Sequence, residues 1–185
     1  MIKQDLRDTS FLLYTRIDSQ DRLTNLQLII RHIQKYFNTF IIIWEMDIES
    51  KIPNKIKNSK DLNYYFLEDS NPILYTTKYR NSMVSQCETS YFFICDTDVI
   101  ATPQVLVQCV EFLRKVNKKT LVYPYNGDFY NVPKDIIEIY SKTGDYQFLR
   151  DNEKMYKLWF QYSTGGIFGG RARDFQECGP DNENI

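Results

Sequence analysis

The chain has 185 residues and a formal net charge of -1, enough length to bury a core as one domain and none of the basic surplus that binding to nucleic acid or an anionic membrane surface requires. Hydrophobic residues at 43% and charged residues at 25% are the balance of a soluble globular protein and argue against disorder. No apolar run is long enough to span a bilayer and Met1 to Asp8 has no signal-peptide core, so a cytoplasmic protein is expected. Cys87, Cys95, Cys109 and Cys178 lack C-x-x-C spacing and read as reduced thiols, and the single histidine, His32, reads as a helix-surface residue. Any metal would then rest on carboxylate oxygen, which favours Mg2+ or Mn2+.

Ser10 to Ile17 is apolar until Thr15 and Arg16, which predicts a first strand that brings an arginine to the carboxyl edge of a sheet. Asp18 or Ser19 then caps a helix whose apolar residues Leu23, Leu26, Ile30, Ile33 and Phe37 recur every three or four positions. Thr39 to Glu45 is the second strand, apolar up to an acidic end, so the opening unit reads as a right-handed parallel β-α-β crossover. Lys51 to Lys60 is charged without a period and reads as a solvated loop. A third strand over Leu62 to Leu67 ends in the turn cluster Asp69-Ser70-Asn71-Pro72, and Lys78 to Glu88 forms a helix burying Met83, Val84 and Cys87.

The most apolar stretch, from Tyr91, runs into Cys95-Asp96-Thr97-Asp98 and predicts the central strand of a sheet covered on both faces, with two carboxylates at the edge where ligands collect. Residues two apart in an extended segment project to one side, so Asp96 and Asp98 can meet on one cation; a turn-capping role for Asp is the competing reading. Thr102-Pro103 opens a helix with Val105, Cys109, Phe112, Leu113 and Val116 on its apolar face. Leu121 to Tyr125 is a further strand, with Pro124 marking an edge or an early exit. After the turn Asn126-Gly127-Asp128, Pro133 opens a short helix with Ile136, Ile137 and Tyr140. Gly144 to Trp159 is helical only in part, Ser163 to Gly170 is glycine-dense, Arg171 to Cys178 is a helix, and Gly179 to Ile185 is a polar tail.

Three strand ends thus carry Thr15 and Arg16, then Glu45, then Asp96 and Asp98, the layout of a nucleotide site. Arginine pairs with phosphate, an acidic side chain accepts from a base or ribose, and a carboxylate-held metal neutralises a diphosphate. A surface ion pair of Arg16 with Asp18 or Asp21 is the alternative for that residue.

Tyr14 to Leu26, then Tyr79-Arg80-Asn81, then Asp96-Thr97-Asp98, then Gly165-Gly166 together resemble the bacterial GT-A fold glycosyltransferases, nearest the group similar to galactosyltransferases. The resemblance implies a single Rossmann-like α/β domain over residues 1–185, with a mostly parallel central sheet and helices on both faces. It implies inverting transfer of a sugar from a nucleotide diphosphate donor, a UDP-sugar, to a saccharide or glycolipid acceptor in polysaccharide biosynthesis, in the cytoplasm or peripheral to the inner membrane. In that family's pattern Arg16, Arg80 and Asn81 line the nucleotide pocket, Asp96 approaches ribose and metal, and Asp98 ligates Mn2+ or Mg2+. Gly165 and Gly166 match the glycine pair that lets the donor sugar approach the backbone.

The same pattern would continue past Asn182-Glu183-Asn184 into a Gly-Trp-Gly and Glu-Asp segment, whose acidic residue is the acceptor-side base. The expectation is therefore the donor-binding part of a longer transferase, with the base beyond Ile185. Two other readings stand beside it. One is a nucleotide-sugar-binding fragment without turnover; the other is a haloacid dehalogenase-type phosphatase with Asp96 as nucleophile, against which the motif's late position in the strand order counts.

Overall fold

The structure, a computed structural model, describes residues 2–179 and Asn182; the rest of the expected tail lies outside the described residues. Its core is a six-stranded sheet. β1 (Gln4–Thr15) lies parallel to β2 (Phe37–Asp47) on one side and to β4 (Tyr91–Cys95) on the other, and β2 is parallel to β3 (Leu62–Glu68). β8 (Ile167–Arg171) runs antiparallel to β4 and to the two-residue β5 (Leu121–Val122), giving the order β3-β2-β1-β4-β8-β5. A separate hairpin pairs β6 (Phe129–Asn131) with β7 (Lys157–Phe160).

Alternation along the strands divides the core in two. Phe11, Leu13, Ile41, Ile43, Phe93 and Cys95 face α1 (Gln20–Tyr36) and α4 (Pro103–Lys115), whereas Leu12, Trp44, Met46, Phe92 and Ile94 face α3 (Thr76–Ser85) and α7 (Ala172–Cys178). Both faces of the sheet are covered, as the near-continuous apolar strands anticipate. The remaining helices are short: α2 (Asn54–Lys57) falls in the expected loop, and α5 (Lys134–Thr143) and α6 (Tyr146–Asp151) pack through Ile136, Tyr140 and Leu149 onto Leu28 of α1. Ser19 caps α1, its side chain accepting from the Arg22 N–H.

Several expectations are corrected. Phe37 belongs to β2 rather than α1, because the helix ends at Tyr36 and passes into the strand without a loop. α4 buries Pro103, Leu106, Val110 and Leu113 and turns Phe112 outward, a stripe rotated from the one expected. The fifth strand is shorter than Leu121 to Tyr125: only Leu121 and Val122 pair, at the sheet's edge, and the chain has left the sheet before Pro124. The glycine-dense segment conceals a buried strand: a Cβ on Gly169 would lie 2.5 Å from the Phe93 ring and 2.6 Å from the Phe92 carbonyl, so glycine is what lets β8 pair against β4. His32 is buried rather than on the helix surface. Its Nδ1 lies 2.7 Å from the Tyr140 hydroxyl and its Nε2 3.1 Å from the Ala101 carbonyl. Since a carbonyl only accepts, Nε2 carries the proton and Nδ1 accepts from Tyr140. Burial holds its pKa down to about 4.

Candidate nucleotide site

The chain builds β1, moves outward to β2 and β3, and returns through α3 to place β4 against the free side of β1. Strand order therefore reverses between β1 and β4, and a crevice opens at the carboxyl ends of those two strands. Tyr14 and Thr15 end β1 at this crevice, and Asp96 follows the last residue of β4. The Tyr14 hydroxyl donates a short hydrogen bond to Asp96 Oδ1 across the gap. Burial raises the Tyr14 pKa, and the Asp96 charge adds to that rise, so the hydroxyl keeps its proton as a donor.

Asp96 and Asp98 lie on a turn closed by Val99 N–H to the Asp96 carbonyl at 3.4 Å, so strand alternation does not govern them. Asp96 is half-buried and Asp98 exposed. Burial raises the Asp96 pKa, opposed by the Tyr14 hydrogen bond, and the Asp98 charge raises it further. The two carboxylates are therefore close enough to repel, the situation a bound cation relieves. Asp98 also borders a small cleft of about 130 Å³ with Ser19, Asp21, Arg22, Asn25 and Thr97 at the start of α1.

Among the described residues no group of three metal-ligating side chains is assembled. Two oxygen donors on a crevice edge nevertheless fit Mg2+ or Mn2+, which characteristically take one or two carboxylates and complete their shell with substrate phosphates and water.

The two arginines differ. Arg16 is tied into its own chain: Nε donates to the Met46 carbonyl at 2.9 Å, Nη1 to the Asn71 carbonyl at 2.7 Å, and Nη2 lies 3.1 Å from Asp69 Oδ2. Its ion-pair partner is thus Asp69, itself bonded by the Tyr79 hydroxyl at 2.6 Å, while Asp18 pairs with Arg22. Arg80, on α3, stacks over the Tyr14 ring at 5.9 Å and donates through Nη2 to Thr77 at 3.1 Å. Its buried Nε has no hydrogen-bond partner among the described residues, and neither has Thr15 Oγ1. Both are orphaned polar atoms beside the crevice, and Asn81 is buried next to Arg80 on the same helix.

Glu45 is fully buried and turned to a different task. Oε1 accepts from the Lys51 N–H at 2.7 Å and the Ile52 N–H at 3.2 Å, and Oε2 from Ser50 at 2.9 Å and Tyr64 at 2.5 Å. Gly165 and Gly166 do come to the site: the Gly166 carbonyl accepts from the Asp96 N–H at 2.7 Å. Gly166 has φ 85°, and a Cβ there would strike the Phe129 ring at 2.5 Å, so its glycine is required by the fold as it stands. The Tyr125 hydroxyl donates to the Gly165 carbonyl. The sequence reading assigned no role to Tyr14, Asp69, Tyr125 or Phe129. Only Tyr14 carried a signal, as a polar-tipped residue one place before a strand end.

This sheet order, with the crevice at the β1/β4 reversal, defines a GT-A-like fold. By structure the chain is similar to CMP:2-keto-3-deoxy-manno-octonic acid synthetase complexed with CTP (TM-score 0.54, 10% identity, covering 96% of this chain and 82% of that one). It is also similar to TarS from S. aureus (TM-score 0.53, 14% identity, 96% and 51%). A third similar structure is a mannosyltransferase from Pyrobaculum calidifontis in complex with GDP-Man and Mn2+ (TM-score 0.51, 13% identity, 96% and 48%). The chain spans about half the length of the latter two. No protein-family model matches the chain, and no curated protein matches it by sequence. Among the described residues no helix is long and apolar enough to cross a membrane.

Proposed function

We propose that this chain binds the donor in a metal-dependent glycosyltransferase reaction that moves a sugar from a nucleotide diphosphate, a UDP-sugar in the first instance, to a saccharide acceptor. The observation that carries the reading is the carboxylate pair Asp96 and Asp98 at the sheet's switch point, beside Arg80 with its unpartnered buried Nε. The CTP and the GDP-Man with Mn2+ held by two of the similar structures support it.

In this reading Asp98 and Asp96 would hold Mg2+ or Mn2+, which would supply positive charge beside the diphosphate. Tyr14 engages one oxygen of Asp96. Arg80 donates to the diphosphate from the crevice wall, stabilising the charge that grows as the sugar bond breaks. Thr15 Oγ1 and Asn81 line the nucleoside end. Arg16 and Glu45 act at one remove: Arg16 fixes the 69–71 turn to the end of β2, and Glu45 fixes the 50–52 loop, so both shape the nucleotide pocket's walls. The Gly165-Gly166 backbone lies where the donor sugar would rest against Asp96.

The experiment is nucleotide-sugar turnover, with UDP- and GDP-sugars offered with Mn2+ and a panel of saccharide acceptors. Expected is metal-dependent release of nucleoside diphosphate, abolished by Asp98→Ala. Release of inorganic phosphate from phosphomonoesters, with a phospho-aspartate at Asp96 in the mass spectrum, would instead establish phosphatase chemistry.

A further inference from the structure

The buried imidazole of His32 takes no part in the crevice, yet both of its nitrogens are engaged. On α1, 1% exposed, it donates through Nε2 to the Ala101 carbonyl and accepts through Nδ1 from the Tyr140 hydroxyl. An apolar residue would fill the same space without the cost of burying a polar ring. What the imidazole adds is direction, two bonds that fix where their partners sit. Tyr140 sets the tautomer, because a hydroxyl donating to Nδ1 leaves the proton on Nε2, aimed at Ala101. Tyr140 is itself firmly seated. α1 holds the end of α5 through Arg31 to the Ser141 and Lys142 carbonyls and through Lys35 to the Thr143 carbonyl, and the Tyr36 hydroxyl bridges the Gly144 carbonyl and the Tyr146 N–H.

What His32 holds is the far end of the loop that carries the two carboxylates. Residues 96–102 leave β4 at Asp96, whose N–H donates to the Gly166 carbonyl at 2.7 Å, and enter α4 at Thr102. Asp98 lies between these ends and is exposed. The turn around it is closed by one long bond of 3.4 Å from the Val99 N–H to the Asp96 carbonyl, too weak to fix a carboxylate by itself. Val99 and Ile100 pack against the core, but apolar contact is non-directional. The directional anchors of the far end are the His32 bond to Ala101 at 3.1 Å and the Thr102 hydroxyl against that of Tyr146 at 2.7 Å. Ala101 is 8% exposed, so a carbonyl deprived of the imidazole is left short of a partner.

We propose that His32 is a positioning residue for Asp98: by fixing the Ala101 carbonyl it sets the loop in the place from which the carboxylate meets a divalent cation. The role toward a cation rests on the donor-site reading, whereas the anchoring of the loop stands on the bonds themselves. His32 touches no ligand. Its removal frees the loop while Tyr14, Thr15 and Arg80 keep their places on β1 and α3, so the metal-dependent part of nucleotide binding is lost and the metal-free part is kept.

His32→Leu fills the space and removes both bonds, and His32→Gln returns an N–H donor for Ala101. Hydrogen exchange followed by mass spectrometry, without ligand, reads the loop. Expected in His32→Leu is exchange at least about tenfold faster in peptides covering residues 97–102, with those from β1 and β4 within about twofold of wild type and His32→Gln close to wild type throughout. Calorimetric titration of UDP with Mn2+ present and absent reads the consequence. His32→Leu should lose at least about fivefold of the Mn2+ enhancement while its metal-free affinity changes less than about twofold, and His32→Gln should recover the enhancement. If His32→Leu does not fold, Tyr140→Phe, which removes the hydroxyl that fixes the tautomer, is measured in its place and should change both readouts in the same direction. Unchanged exchange in the loop overturns the anchoring. A full Mn2+ enhancement in His32→Leu, or an equal loss with and without the metal, overturns the positioning role. Exchange that responds as expected in a protein whose wild type shows no Mn2+ enhancement defeats the donor-site reading, and with it the role toward a cation, but leaves the anchor standing.

Discussion

Tyr14 ties together the two strand ends of the candidate site, because its hydroxyl donates to Asp96 from the opposite strand of the crevice. Tyr14→Phe removes that donor and leaves a half-buried carboxylate short of a partner, so the variant should be less stable by roughly 1 to 3 kcal/mol at neutral pH. Thermal melts should show the loss, with Mn2+ plus UDP restoring more stability to the variant than it adds to wild type; an unchanged melting temperature would detach Tyr14 from the site. Glu45 shows how far a residue's type can mislead. An acidic side chain at a strand end invites a ligand, but Glu45 is encircled by donors from Ser50, Lys51, Ile52 and Tyr64. Nothing in Trp44-Glu45-Met46 distinguishes a carboxylate aimed at solvent from one capping a loop that returns several residues later. Arg16 is the same case, since its acceptors Met46, Asn71 and Asp69 are 30 or more residues away along the chain.

Secondary elements were legible wherever the local pattern matched the burial. α1, β2, β3 and β4 were read close to their places, and β1 from Ser10 onward although it begins at Gln4; the apolar runs of β1, β2 and β4 face helices on both sides, whereas β3 at the sheet's edge leaves Tyr65 and Phe66 exposed. β8 was hidden, since Gly169 and Gly170 have no side chains to show a period, and the reason for glycine is a tertiary contact with Phe92 and Phe93. Gly169→Ala should therefore lower stability by at least about 1 kcal/mol, because the added methyl meets backbone as well as a ring; chemical denaturation at wild-type stability would contradict that close approach. His32 was also misjudged, because what buries it comes from α5 and from the segment between β4 and α4. Tyr36, Tyr140 and Tyr146 surround the ring at 5.1, 6.4 and 5.7 Å. Its pKa, lowered from 6.5 to about 4 by burial, means that the unfolded chain binds more protons between those values. Stability at neutral pH should then fall as pH drops from about 6.5 through 4, by on the order of 3 kcal/mol. Denaturation at pH 7 and pH 4 measures this, and His32→Gln should flatten the difference.

At the scale of the whole molecule, the sheet order β3-β2-β1-β4 sets the reversal that brings Tyr14, Thr15, Arg80 and Asp96 to one crevice, although they are separated by up to 82 residues in sequence. The strand ends carrying Thr15 and Asp96 were expected at one site, with Arg80 added by the family resemblance, but the Tyr14–Asp96 hydrogen bond was not visible, because it depends on β4 returning to the free side of β1. The aromatic hairpin was less visible still, because β7 lies in a segment without a period that was expected to be helical in part. The central claim, that the switch-point carboxylates bind a nucleotide diphosphate through a divalent metal, is tested most directly by calorimetric titration of UDP and GDP with Mn2+ present and absent, on wild type and Asp98→Ala. Expected is binding at least about tenfold tighter with Mn2+ for the wild type, and no metal enhancement in the variant, a difference of about 1.4 kcal/mol or more. Equal affinity with and without the metal, or an enhancement that survives in Asp98→Ala, would contradict it.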